Sequence, residues 1–312
     1  MTTSAHGKPV GGSSGEPQPP GEASGNDGRA ERERGAAGAP PHVRLTAPAI
    51  RALGLCTGWG PGAAAIPADA QAEAGGRRVL ALGRAGAVNA RFGGDRFRRA
   101  TRECLWALAS VEAMLEDGGA GREAIAGERT ALIYVTAAAY AASNRAFIEG
   151  RGSGTHFAYT APAVVPAEVA IEFGLSGPSV ILIGGPPTTL RAIWYAATLL
   201  ASGACDRALV LALEIFAECE DLYARARRLS AWPLVEAAGC LWLEPGAGRL
   251  SLLPGRRRGP TDAAALKRRL GETFACEPLA ALGLGRHAGA PGPRTLHGRW
   301  RGDAAELHWE TG

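Results

Sequence analysis

The sequence predicts an α/β fold: a mixed, mostly parallel sheet with helices on both faces. Three observations predict it. Short apolar runs of strand length recur at 49–56, 130–136, 179–183, 207–213 and 237–243. Stretches with apolar residues at helical spacing lie between them, so strand alternates with helix. The later runs are continuous rather than alternating, which is the pattern of strands covered on both faces.

Taken in order, Ala49 to Cys56 reads as a first strand that runs into the turn residues Thr57-Gly58-Trp59-Gly60-Pro61-Gly62. Residues 63–73 read as a short helix. Between Phe97 and Glu116, Cys104, Leu105, Leu108, Val111 and Leu115 share a helical face, and Gly118-Gly119 ends that helix. Thr130 to Thr136 is a buried strand, and Ala139 to Ile148 a helix. A further helix runs from Pro162 through Pro166 to Phe173 and closes on Gly174. Ser179 to Ile183 is the next buried strand. Pro187 suits the first turn of the following helix, 187–202, where a missing N–H costs nothing. Leu190, Ile193, Trp194, Ala196, Ala197, Leu199 and Leu200 cover nearly its whole circumference, as in a buried helix. Arg207 to Leu213 and Ala237 to Leu243 are further buried strands. Thr295 to Trp300 and Ala305 to Glu310 pair as a hairpin around Arg301-Gly302-Asp303, closing an edge of the sheet.

Residues 1–42 are rich in Gly, Ser, Pro and Glu and hold almost no large apolar side chain, so a disordered tail is expected there. The α/β domain is expected over 43–246, and a C-terminal extension with a helix and a hairpin over 247–312. The 312 residues are 46% hydrophobic, enough for a sizeable core. Thirty-four Lys and Arg against 30 Asp and Glu leave a formal charge of +4, which marks no nucleic-acid partner. The run Arg256-Arg257-Arg258 reads as a solvated loop; a weak contact to an acidic partner is the sharper alternative. Six cysteines stand in apolar surroundings with no CxxC, as small buried hydrophobes in a reducing cytoplasm. Cys and His never cluster at ligand spacing, so no metal and no cofactor are expected. No run of about 18 apolar residues and no leader precede or interrupt the fold, so no membrane span is expected.

The most informative stretch is Gly177-Pro178-Ser179-Val180-Ile181-Leu182-Ile183-Gly184-Gly185-Pro186-Pro187-Thr188-Thr189-Leu190. A strand, a tight turn and a helix start form the geometry in which a nucleophile sits at a helix N-terminus. Unpaired N–H groups and the helix dipole there favour developing negative charge. The turn holds no Cys or Ser; it holds two prolines.

Several stretches, in order, resemble the N-terminal half of the β-ketoacyl synthases, within the thiolase-like fold. They are Leu55-Cys56-Thr57-Gly58-Trp59-Gly60, the helix around Arg99 to Leu115, and Phe173-Gly174-Leu175-Ser176-Gly177-Pro178-Ser179-Val180. Leu199 to Val210 and Ala237 to Glu244 complete the series, which covers roughly residues 47–246. The resemblance implies that Pro186 stands where the family's nucleophilic Cys would be, with Gly184, Gly185 or Pro187 there if the alignment slips. None is a nucleophile, and proline has no N–H to offer an oxyanion. Losing one such donor alone costs about 10²–10³ in rate. Family members also carry a second, similar half that supplies two active-site His residues. Only residues 247–312 follow here, and Gly285-Arg286-His287-Ala288-Gly289-Ala290 echoes that half by chance. His287, His297 and His308 are expected at the surface.

Other candidates have bland readings. Thr188 or Thr189 could substitute as nucleophile, but a helix-capping hydroxyl is the simpler role, since no base is recognisable nearby. Cys205 lies at the far, negative end of the same helix, where a thiolate is disfavoured. Arg191 is a structural ion pair, or a contact to a partner's carrier group. Gly184-Gly185 allows close backbone approach. Glu214 is a hydrogen-bonded structural carboxylate. No catalytic residue is assigned. The pocket or interface set is Gly184, Gly185, Pro187, Thr188, Thr189 and Arg191.

The helix 187–202, left bare on one side, implies an interface. The resemblance makes strand 179–183 a candidate edge for pairing across a two-fold. The expected protein is a non-condensing partner subunit in fatty-acid-like or polyketide-like acyl-chain synthesis. It would form a homodimer, or a heterodimer with a full-length ketosynthase, and engage an acyl carrier protein. Two alternatives stand beside it: an enzyme of altered chemistry (a malonyl-thioester decarboxylase or an acyltransferase), and an interaction module in an unrelated pathway.

Overall fold

The computed structural model describes residues 44–83, 92, 97, 100–151, 154–221, 231–255, 261–289 and 294–311. The expected tail over 1–42 and the Arg256-Arg257-Arg258 run lie outside them. The strands are β1 (Arg44–Thr46), β2 (Ala49–Thr57), β3 (Gly60–Pro61), β4 (Val79–Leu80), β5 (Thr130–Thr136), β6 (Ser179–Ile183), β7 (Arg207–Glu214), β8 (Leu234–Val235), β9 (Ala237–Glu244), β10 (Gly248–Pro254), β11 (Arg294–Trp300) and β12 (Asp303–Thr311). The helices are α1 (Ala70–Ala74), α2 (Arg102–Gly118), α3 (Ala141–Ile148), α4 (Val164–Phe173), α5 (Pro186–Ala201), α6 (Thr261–Leu270) and α7 (Glu277–His287).

Among the described residues a six-stranded sheet has the order β3-β2-β9-β7-β5-β6. Strands β7, β5 and β6 run parallel, and β9 is antiparallel to both β7 and β2. The sheet is therefore mixed, as the apolar runs predict. Strands β5, β7 and β9 are buried along almost their whole length because helices cover both faces. One face packs on α2 and α4 through Leu105, Leu108, Val111, Met114, Val169 and Phe173. The other packs on α5 through Leu190, Ile193, Ala196 and Ala197, which meet Ala131, Ile133, Val135 and Val210.

Two expectations are corrected here. Ser179 to Ile183 is not a buried strand. It ends the sheet, and its side chains alternate between exposed and half-buried; Ile181 and Ile183 are 37% and 49% exposed. A terminal strand has one neighbour, so an apolar run there lacks cover that an interior strand receives. The central helix is also not bare. Strands β1, β10, β12 and β11 form a second sheet, all pairs antiparallel, that packs on the far side of α5. Leu250, Leu296, Leu307 and Trp309 join the α5 core from that side. Helix α7 lies in the same layer and touches α5, β2 and β11.

The predicted hairpin is present, with seven registered pairs from Arg294↔Trp309 to Trp300↔Asp303. Its tight turn, Arg301-Gly302, has φ of 49° and 87°, the doubly positive geometry that matches strand twist in two-residue hairpins. The hairpin belongs to the second sheet and does not close the edge of the first. Its strand β12 pairs with β10, and β10 in turn with the distant β1, so no local signal places the hairpin.

Candidate functional site

The chain reverses direction between β6 and α5, at the carboxyl ends of the parallel strands. Strand β5 is followed by β6 on one side and by β7 on the other. Such a switch point is where open α/β sheets form crevices. Gly185 is the N-cap of α5, and Pro186 and Pro187 occupy its first two positions. The prolines are pre-set in φ for a helix start and carry no N–H. Of the N–H groups a helix start normally presents, two are absent, and the Thr188 N–H turns back to the Gly185 carbonyl at 2.9 Å. The polarity that would hold an anion at this helix end is correspondingly reduced.

Gly184, Gly185, Pro186 and Pro187 are all buried. What buries them is β11. A Cβ added to Gly185 would stand 2.5 Å from Cγ of Trp300, and one added to Gly298 would stand 2.7 Å from the Pro186 carbonyl carbon and the Pro187 nitrogen. The glycines thus let two backbones and an indole meet at the elbow. Trp300 and Gly298 carry no sequence signal for this role; only the pairing of β11 with β12 brings them here.

Neither threonine caps the helix, which corrects the capping expectation. The Thr189 hydroxyl donates to the Ala275 carbonyl at 2.6 Å in a buried setting. Thr188 lies over Gly184, with its Oγ1 2.1 Å from where a Cβ on that glycine would stand. Both hydroxyls are placed by packing, not by a base. Arg191 is exposed and makes a two-pronged ion pair with Asp303, at 2.5 and 2.8 Å, tying α5 to the hairpin turn. That is the structural account of Arg191.

Behind the elbow stands Glu214 at the end of β7, fully buried. Its carboxylate accepts the N–H groups of Ala137 (2.7 Å), Ala138 (3.0 Å) and Ala275 (3.2 Å), as a structural carboxylate would. Burial pushes its pKa up to about 8, against those three hydrogen bonds, which favour the charged form. Ala275 is therefore pinned at both ends, its N–H by Glu214 and its C=O by Thr189. The residue before it, Phe274, has φ of 44°, a strained value for a non-glycine. Its N–H donates to Glu272 at 3.2 Å, and its ring meets Phe216 edge-on at 5.6 Å. The turn Phe274–Cys276 was not legible in the sequence.

The six cysteines are buried, as expected. Burial raises the Cys205 and Cys276 thiols above their ordinary values, so neither is poised as a thiolate. His287 is exposed. His297 and His308 are half-buried on the outer face of the second sheet, each 3.8 Å from Glu306 and remote from the elbow's buried side. Among the described residues no group of three or more His, Cys, Asp or Glu could hold a metal ion, and no helix is long and apolar enough to cross a membrane.

The model of the β-ketoacyl synthase N-terminal domain matches residues 58–231, more than half of the chain. No curated protein sequence matches. Among solved structures, the ishigamide ketosynthase/chain length factor superposes with a TM-score of 0.65 at 17% identity, covering 85% of this chain and 100% of that one. A type II polyketide synthase acyl carrier protein in complex with its ketosynthase bound to the hexaketide gives 0.66 at 14% identity, covering 86% and 100%. A β-ketoacyl synthase from Burkholderia phymatum gives 0.52 at 16% identity, covering 72% and 70%. At such identities the likeness is one of fold, and that fold is thiolase-like.

Proposed function

The chain belongs to the β-ketoacyl synthase N-terminal domain family, and on that premise we propose that it is a non-condensing partner subunit in acyl-chain synthesis of the polyketide or fatty-acid type. The observation that carries the reading is the elbow. The turn is built of Gly184, Gly185, Pro186 and Pro187. With Pro186, or a neighbour in that turn, read as the counterpart of the family's nucleophile, it has no side chain to form a thioester, and at Pro186 no N–H to hold the oxyanion. Trp300 and Gly298 pack closely against the same buried turn, which on this reading hinders the approach of a thioester.

A retained scaffold without its reactive atom still offers surfaces. Among the described residues β6 has no strand on its outer side, and Ile181 and Ile183 are exposed there. It is the natural place for a second strand to add, either from another copy or from a full-length ketosynthase. One of the similar structures is titled as a ketosynthase with a chain length factor, and another as a ketosynthase with its acyl carrier protein. Both assemblies are models for the company this chain keeps.

The test is co-expression with a full-length ketosynthase and a carrier protein, followed by co-purification and intact-mass measurement. The expected result is a stable complex with the ketosynthase, lost in the Ile181→Lys variant, and no acyl adduct on this chain. An adduct on the segment from Gly184 to Thr189, or malonyl-carrier decarboxylation by the isolated chain, would replace this reading with the altered-enzyme one. Failure to assemble with any acyl-synthesis protein would favour an interaction module in another pathway.

A further inference from the structure

We propose that helix α6 is a proton-coupled strap over the apolar patch beside β2, held down while the buried carboxylates beneath it keep a proton and loosened when that proton leaves. The proposal does not rest on the partner-subunit reading. The helix is fastened along one side. Leu266 and Leu270 pack with Leu55, Ile66, Ala280 and Leu284, and the Trp59 indole N–H donates to the Leu270 carbonyl at 2.9 Å. Ala264, Ala265, Arg268 and Arg269 are exposed on the other side. Ten residues are too few for a helix to persist in water unaided, so α6 is helical because it is docked.

The docked side of α6 carries Lys267, one of only two lysines in the chain (the other is Lys8). Its Nζ meets Glu272 at 2.6 Å and Glu277, the first residue of α7, at 3.4 Å. Both carboxylates are buried, with side chains 7% and 2% exposed. One ammonium cannot neutralise two carboxylates, and an uncompensated buried charge is costly, so the trio keeps a proton. Glu277 is the holder of that proton. Glu272 has the shorter contact to Lys267 and also accepts the Phe274 N–H at 3.2 Å. Oε2 of Glu277 is buried and makes no hydrogen bond. Burial raises the Glu277 pKa from 4.5 to about 7, against the pull of Lys267.

Among the described residues no second cation faces the pair; the charges that act on Glu277 are those of Lys267 and Glu272. Glu214, at the end of β7, adds negative charge near Glu272 when ionised. Glu236, after β8, is engaged by Arg102, and Arg51 of β2 sits over the Trp242 ring. Asp69 and Glu73 beside α6 are exposed, as are Arg268 and Arg269 on it. Arg286 stands in the last turn of α7, about 14 Å along the helix from Glu277, and is paired there with Asp117. Arg294 of β11 lies beside that same far end. Undocking α6 lets water reach Glu277, whose proton then leaves at its ordinary value. Between about 4.5 and 7 the docked form alone holds the proton, so rising pH favours release of the strap until Glu277 is ionised in both forms.

The experiment is hydrogen–deuterium exchange of the purified full-length chain at pH 6 and pH 8.5, read as protection factors so that the intrinsic pH dependence of exchange cancels. The amides of 264–270 should be less protected than those of β5 and should lose about tenfold in protection over that range, the linkage value for one group that moves from about 7 docked to 4.5 released. Glu277→Gln keeps the uncharged shape, so it should hold that protection constant to within about twofold, whereas Glu214→Gln should leave the fall in place. Amine-reactive labelling of the parent chain gives a reading that needs no variant. Lys267 and Lys8 are its only side-chain amines, and labelling of Lys267, taken relative to the urea-unfolded chain at the same pH, should rise with pH. The proposal is overturned if 264–270 are as protected as β5 at both pH values, if neither their protection nor the Lys267 labelling ratio changes with pH, or if the fall persists in Glu277→Gln.

Discussion

Placing a methyl group at either of two elbow glycines separates a contact with a side chain from one with backbone. At Gly185 the new Cβ would stand 2.5, 2.8 and 2.9 Å from Cγ, Cδ2 and Cβ of Trp300. Carbon pairs rest at about 3.5–4.0 Å, so the indole must retreat by roughly 1 Å. Trp300 sits on a strand locked by seven registered pairs and a tight turn, and its retreat strains that strand. The expected cost of Gly185→Ala is about 1–3 kcal/mol, the range for overpacking. Trp300→Ala removes the obstruction, so the glycine substitution should become nearly neutral in that background, a coupling of similar size. At Gly298 the added Cβ meets Pro186 and Pro187 backbone atoms at 2.7 Å. No side chain can yield there, so Gly298→Ala should cost about 3 kcal/mol or more, and Trp300→Ala should not rescue it. Urea unfolding of the single and double variants measures all of these terms. A neutral Gly298→Ala, or additive behaviour of Gly185→Ala and Trp300→Ala, would refute the sealed elbow.

Three further outcomes are expected. Thr189→Val keeps the shape but leaves the buried Ala275 carbonyl without its donor, so it should lose about 1–3 kcal/mol by chemical denaturation, while Thr189→Ser should retain most of that. Glu214 is raised from near 4.5 to about 8, so between those values the native chain keeps a proton that the unfolded chain releases. Stability should fall as pH rises through that window, by up to about 1.4 kcal/mol per pH unit for one proton, and Glu214→Gln should flatten that part of the slope in denaturation curves from pH 5 to 8.5. The Arg191–Asp303 pair is nearly half exposed on both sides, so a double-mutant cycle should return no more than about 1 kcal/mol, falling with added salt.

Much of the first sheet was legible because its signals are local. Thr130 to Thr136 and Ser179 to Ile183 match their strands residue for residue, and Arg207 to Leu213 and Ala237 to Leu243 fall one residue short. Buried parallel strands must be apolar throughout, and the helices between them must end on residues such as Gly119 and Gly174, both left-handed here. The elbow was legible too, since two prolines after two glycines fix a turn and a helix start. Glu214 was recognisable as a bound carboxylate, though not the three amides it accepts.

The amino-acid sequence by itself determined the order of the main strands and helices of the first sheet, the mixed α/β class, the buried character of α5 and the absence of a reactive side chain from Gly184 to Pro187. Tertiary structure alone decided that the side chains of β6, the candidate edge strand, are exposed rather than buried, that a second sheet covers α5, and that Trp300 and Gly298 pack on the elbow. The physical reason is range. Apolar periodicity and turn chemistry act within a few residues, whereas β1 meets β10 across some two hundred positions and β11 meets the elbow across more than one hundred. Those contacts are chosen by what remains uncovered once the local elements have formed, and no short stretch of chain records that.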